Sequence, residues 1–180
     1  MFHKRTHPLQ DRLTPFRPSV RGLRAQVRSE DRIYWLDESR TVCDAIFDGL
    51  DVSGEIESVA TQSLGETVLL QGTDRLEGLA VCHIGPATEA GSGTCYVKFG
   101  AVAPGPSARE RLEQLLDACA AAGAARGATR LLAGVNAARR EAYDVLLSRG
   151  FRIDFQGVAM HRPDEPGYSR PGAYVLDDWR

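Results

Sequence analysis

The 180 residues, 43% hydrophobic and 26% charged, suit one folded domain with an ordinary core and a tail. The net charge of −2 excludes a chain that is basic throughout. It is unevenly spread, however: seven Lys or Arg against Asp11 and Glu30 give residues 1–30 a charge of +5 and leave −7 on the rest. No run approaches the roughly 18 apolar residues of a membrane span, and no apolar stretch follows Lys4 and Arg5 as in a secretory leader.

Segment 1–33, with Pro8, Pro15 and Pro18 among its charges, reads as a basic, disordered arm, and 34–180 as the folded domain. Such an arm suits nucleic acid or an acidic partner, but a solvated terminus is the plainer reading. Residues 38–50 place Val42, Ile46 and Leu50 at helical spacing, and 55–64 place Ile56, Val59 and Ala60 on one side of a second helix. The period then shortens. Gly65–Gly72 and Leu76–Ile84 read as a hairpin turning at Thr73-Asp74. Pro86–Gly93 reads as a loop and Cys95–Val102 as a third strand.

The next helix is the clearest element. Leu112, Leu115, Leu116 and Cys119 form one apolar stripe, Ser107 with Glu110 spells a capping box, and Gly127 ends it. Leu131–Val135 is a short buried strand. Asn136 is the expected cap of a further helix that turns Ala138, Ala142, Val145 and Leu146 inward and stops at Gly150. Phe151–Met160 is the expected next strand, bent at Gly157, and Ala173–Leu176 a last one. The order α-α-β-β-β-α-β-α-β(-β) predicts an α/β (α+β) fold, a mixed but mostly antiparallel sheet flanked by helices. A doubly wound nucleotide-binding sheet needs β and α alternating from the start.

Cys43, Cys82, Cys95 and Cys119 have no CxxC spacing and read as reduced core thiols of a cytoplasmic protein, with no metal site. Cys82 and His83 are strand neighbours, point to opposite faces, and make a poor dyad. The sequence holds no HExxH, Walker or G-x-S-x-G motif.

Val102 to Leu116, VAPGPSARERLEQLL, runs from a strand through a Pro/Gly turn to a helix N-terminus, a geometry that presents backbone N–H groups to an anion. Its frame resembles the coenzyme A segment of the GNAT superfamily of N-acetyltransferases, V-x-P-x-x-[QR]-G-x-G-x-[GA]-x-x-L-L. Val102, Pro104, Leu115 and Leu116 match it; Ser107, Ala108, Glu110 and Leu112 stand at its [QR], glycine and [GA] positions. Ala142 and Gly150-Phe151 match a second signature, whose Tyr position here holds Leu146 and whose Asn position holds Arg139. The resemblance covers about residues 38–176 and is greatest to the C-terminal half of tandem GNAT proteins.

It implies a splay between two parallel strands that admits the pantetheine arm of acetyl-CoA as co-substrate. Gly100, Ala101 and Val102 would face the thioester. Ser107, Ala108, Arg109, Glu110, Arg111 and Leu112 would lie at the diphosphate, with Arg109 and Arg111 as its partners and the Glu110 carboxylate repelling it. Asn136 and Arg139 would border the cofactor from the second helix. Tyr143, one turn from the expected Tyr position, would return the proton to sulfur, and His83 or Glu89 would act as base. Two readings follow. The first is an N-acetyltransferase acting on a small-molecule or peptide amine, with neither a membrane nor nucleic acid as partner. The second is a domain of the same fold that has lost coenzyme A and serves as a structural or partner-binding module, by homodimerisation or by docking.

Overall fold

The computed structural model describes residues 1–5, 19–23, 29–158, 160, 165 and 167–177. Its elements are β1 (Phe2–Arg5), β2 (Ser19–Leu23), α1 (Ser29–Asp44), α2 (Ser53–Gln62), β3 (Gly65–Gln71), β4 (Leu76–Gly85), β5 (Gly91–Val102), α3 (Ala108–Ala125), β6 (Arg130–Ala133), α4 (Arg140–Ser148), β7 (Arg152–Ile153) and β8 (Val175–Asp177). The described strands form one sheet in the order β2-β3-β4-β5-β6-β1-β7, with β8 added against β5. Only β5 and β6 run parallel; the other described pairs are antiparallel. The fold is α+β, as the order of elements predicts.

Strand alternation divides the core between the two faces of the sheet. Val68, Leu70, Ala80, Cys82, Cys95 and Val97 pack on Leu112, Leu115, Leu116 and Cys119 of α3 and on Ala142, Val145 and Leu146 of α4. Leu69, Leu79, Val81, Phe99 and Ala101 pack on Ile56 and Val59 of α2 and on Val42, Cys43 and Ile46 around the end of α1. The central strands β4 and β5 are covered on both faces, so they read as near-continuous apolar runs. The α3 stripe is fully buried, and each of its leucines contributes roughly 1.5–3 kcal/mol of transfer free energy.

Several expectations are corrected. Residues 2–5 and 19–23 are not an arm. β1 lies between β6 and β7, and β2 pairs with β3. α1 begins at Ser29, so the folded unit extends upstream of residue 34, while 6–18 and 24–28 lie outside the described residues. Charge composition is silent about strand pairing, because the β1 backbone finds its partners more than a hundred residues downstream. The first helix ends at Asp44, whose carboxylate accepts the Gly49 N–H at 3.2 Å; Ile46 is buried from a turn beyond it. β5 starts at Gly91, four residues before the expected strand, and the strand expected over 151–160 shortens to β7. Strict strand alternation would put Phe99 on the face of Cys95 and Val97, but Val97 packs on the α3 side and Phe99 on the α2 side. The register shifts between Val81↔Phe99 and Cys82↔Val97, and Lys98 is the extra residue of a bulge.

Candidate functional site

β5 and β6 pair only from Thr94↔Arg130 to Val97↔Ala133. Beyond that point they diverge, and β8 enters the gap. Phe99, Gly100 and Ala101 pair with Asp177, Leu176 and Val175. The Val102 N–H donates to Tyr174 O at 3.3 Å, and the Asp177 N–H donates across the gap to Gly134 O at 3.1 Å. Gly100 is enclosed: a Cβ there would stand 3.3 Å from Val97 Cγ1 and 3.6 Å from both Ala80 Cβ and Leu176 Cβ. The stretch Gly100–Val102, expected to face a thioester, therefore has β4 along one edge and the chain's own C-terminal strand along the other.

Arg139 holds that strand. Its side chain is only 3% exposed. Nη1 donates to Val175 O (3.0 Å) and Asp177 Oδ1 (2.8 Å), and Nη2 to Asp177 Oδ2 (2.7 Å) and Ser169 Oγ (3.1 Å). This is the planar, bidentate geometry that guanidinium and carboxylate share. The Tyr168 hydroxyl donates to Asp177 Oδ2 at 2.9 Å, and its ring lies 4.8 Å beneath the Arg139 guanidinium. Burial first, and then the Asp177 carboxylate, push the Tyr168 hydroxyl up to about 12. Arg139 is thus engaged by protein groups rather than turned toward a ligand.

The α3 entrance is built differently from its sequence reading. Ser107 precedes the helix but makes no side-chain capping bond, so the expected box with Glu110 does not form. The Ala108 N–H donates to Gly105 O at 3.0 Å, and Ser107 O accepts the Arg111 N–H at 3.0 Å. Glu110 is exposed in the first turn. Arg109 is exposed as well, with Nε 3.3 Å from Glu113 Oε1 one turn on and Nη2 3.4 Å from Ser148 Oγ. Arg111 folds back toward the sheet, where Nη2 donates to Glu77 Oε1 at 2.9 Å and Nη1 to Ala103 O at 3.3 Å. Leu112 belongs to the core. Asn136 accepts the Ala138 N–H on Oδ1 at 2.9 Å and the Arg139 N–H on its carbonyl at 2.9 Å, a turn that precedes α4 rather than caps it.

The expected catalytic trio does not converge. Tyr143 packs against the α3-side core. His83 follows Cys82 of that core along β4 and so points to the other face, where its ring stands edge-on to Tyr96 at 6.4 Å. It is 4% exposed, and among the described residues neither ring nitrogen has a hydrogen-bond partner. Burial is the first cause that pulls its pKa below the ordinary value; Glu89 opposes that and Lys98 adds to it. Glu89 pairs with Lys98 at 2.8 Å. Cys82 and Cys95, both buried, have thiols pushed upward, chiefly by contacts within the Cys82–Cys95–Cys119 group and by burial. Among the described residues no group of His, Cys, Asp and Glu is placed to hold a metal ion, and no helix is long and apolar enough to cross a membrane.

Sequence reasoning does not assign Tyr168, Ser169 and Asp177 to any site. The one available signal is a charged and aromatic C-terminus directly after the apolar run Ala173–Leu176.

No protein-family model matches the chain, and no curated protein matches it. Among the solved structures that are similar are two of one protein. One is the crystal structure of wild-type TTHA1254 from Thermus thermophilus, at TM-score 0.54 and 19% identity, covering 79% of this chain and 95% of that one. The other is a point mutant of the same protein, at TM-score 0.56 with the same identity and coverage. What they share with this chain is the fold.

Proposed function

We propose that this chain is a GNAT-like domain that no longer binds coenzyme A and works as a structural, partner-binding module. The observation that carries the reading is β8. Its pairing with Phe99–Ala101 takes the strand edge along which a pantetheine arm would lie, and the buried Arg139–Asp177 pair fastens it there. Acetyl-CoA does not fit the remaining groups either. Arg111 is committed to Glu77, the exposed Glu110 carboxylate stands in the first turn of α3, and Tyr143 and His83 lie on opposite faces of the sheet. Opposing charge at a helix N-terminus removes the advantage such a terminus offers to phosphate.

The test is thermal unfolding of the full chain with and without acetyl-CoA. A donor bound at ~10 µM and supplied at ~1 mM would stabilise the native state by about 2.7 kcal/mol. That is a rise of about 5–11 °C in Tm for a domain of this size. The expected outcome is no rise, with no heat of binding in a calorimetric titration. A rise of that size refutes the module reading and restores acetyl transfer.

A further inference from the structure

We infer that the open trough between α1 and the outer side of α2 is an interface between two copies of this chain. Ile33 of each copy enters over Gly54 of the other, and Arg32 of each pairs with Glu57 of the other. This rests on the module reading, for which it names the partner.

The trough holds about 650 Å³. Arg32, Ile33 and Leu36 form its α1 wall, and Gly54, Ser58 and Thr61, with Glu57 among them, form its α2 wall. The core-facing residues of α2 are Ile56 and Val59. At about 3.6 residues per turn the trough residues lie half a turn round, on the side turned away from the sheet. Small side chains make the room. Gly54 is not among the glycines of positive φ, and a Cβ there would meet nothing within 4 Å, so neither the backbone nor a neighbour requires the bare position. On the opposite wall Ile33 is 69% exposed, three residues before the half-buried Leu36. An uncovered apolar knob beside an unfilled hollow is the pattern of a protein contact rather than of a scattered surface residue.

Two charges decide the occupant. Arg32 is half-buried and Glu57 exposed, and among the described residues neither side chain has an ion-pair or hydrogen-bond partner. Glu57 stands one turn from Gly54 on α2, and Arg32 adjoins Ile33 on α1. A second copy that sets its Ile33 over Gly54 therefore brings its Arg32 to Glu57, and a two-fold axis repeats both contacts with the roles exchanged. Knob and hollow, cation and carboxylate all belong to one patch, which is thus complementary to itself. A partner of single charge sign would leave one of the two ions unmatched.

Sedimentation equilibrium of the full chain, from micromolar to millimolar concentration, tests this. The expected result is a two-chain species in the wild type. Arg32→Glu alone and Glu57→Lys alone set like charges at both crossings and should raise its Kd about tenfold or more. Arg32→Glu/Glu57→Lys restores both pairs and should recover the wild-type Kd within about threefold. Gly54→Gln fills the hollow without touching its own chain and should sediment as one chain at every concentration, with the far-ultraviolet spectrum of the wild type. A wild type that stays single throughout overturns the inference, and a trough made for another partner gives that result. So does a two-chain species that Gly54→Gln leaves intact, or a double variant no tighter than its single changes. Should either charge variant fail to fold, the wild type and Gly54→Gln decide between them. Acetyl-CoA plays no part in this assay, and a chain that stays single here still tests separately for its binding, so the two failures are distinct.

Discussion

Asp177→Asn isolates the contact that fastens the C-terminal strand. Arg139 is 3% exposed and Asp177 18% exposed, so solvent screens their pairing little. Removing one member of such a buried pair costs about 3–5 kcal/mol, because the other is left charged and out of water. Asparagine keeps the shape and one acceptor oxygen, and Arg139 retains Val175 O and Ser169 Oγ. The loss therefore falls at or below the bottom of that range, about 2–3 kcal/mol. For a domain of this length each kcal/mol moves Tm by about 2–4 °C, which sets a fall of about 4–12 °C by differential scanning calorimetry. The companion variant is Arg139→Met/Asp177→Leu, which removes both charges. Replacing a whole buried pair with apolar side chains is commonly neutral, so this variant should lie within about 1 kcal/mol of wild type. An Asp177→Asn variant that melts with the wild type would refute the argument. So would a double variant damaged by the sum of its two single changes.

Three further outcomes follow from the geometry. Because burial lowers the folded-state pKa of His83, the unfolded chain takes up its proton first; stability is full above the unfolded value of about 6.5 and is lost as pH falls below it. His83→Gln should flatten this acid limb in urea unfolding measured between about pH 7.5 and 5.5, and an unchanged limb assigns it to other groups. In Gly123→Ala the new Cβ would stand 2.6 Å from Cys95 Cβ, so overpacking of about 1–3 kcal/mol outweighs a helix-propensity gain of up to about 1 kcal/mol. The urea midpoint should fall, and a higher midpoint would show that α3 moves off β5 at little cost. Ser107 makes no capping bond, so Ser107→Ala should change stability by less than about 0.5 kcal/mol in chemical denaturation, where a working cap is worth about 1 kcal/mol.

The parts of this molecule that are legible in the sequence are those whose signal is local. The Leu112–Cys119 stripe gives α3 its buried face, and two short apolar runs separated by Gly72-Thr73-Asp74 give the β3–β4 hairpin close to its observed bounds. What escapes depends on distant partners. β1 holds two cations in four residues, yet its backbone is paired on both edges by strands from the other end of the chain. The bulge at Lys98 arises from register against β4, and no alternation within β5 announces it. The family resemblance puts Arg139 at the border of a cofactor cleft, whereas its guanidinium is bound by Asp177, Ser169 Oγ and Val175 O. Its carboxylate partner lies 38 residues downstream in a run too short to declare a destination. Ser107 and Glu110 have the right letters for a capping box, but the φ of −94° and ψ of 15° at Ser107 leave its hydroxyl without a capping bond.

The position of β1 also bears on how the chain acquires its shape. Phe2 lies opposite Ala133, about 130 residues away, and then opposite Ile153. Loops of that length close late, since their entropy is lost before any contact repays it. During synthesis β1 must wait for partner strands that are made long after it, exposed meanwhile to strands of neighbouring nascent chains. Assembly of this half of the sheet should therefore limit the refolding rate, after the local hairpin and α3 have already formed.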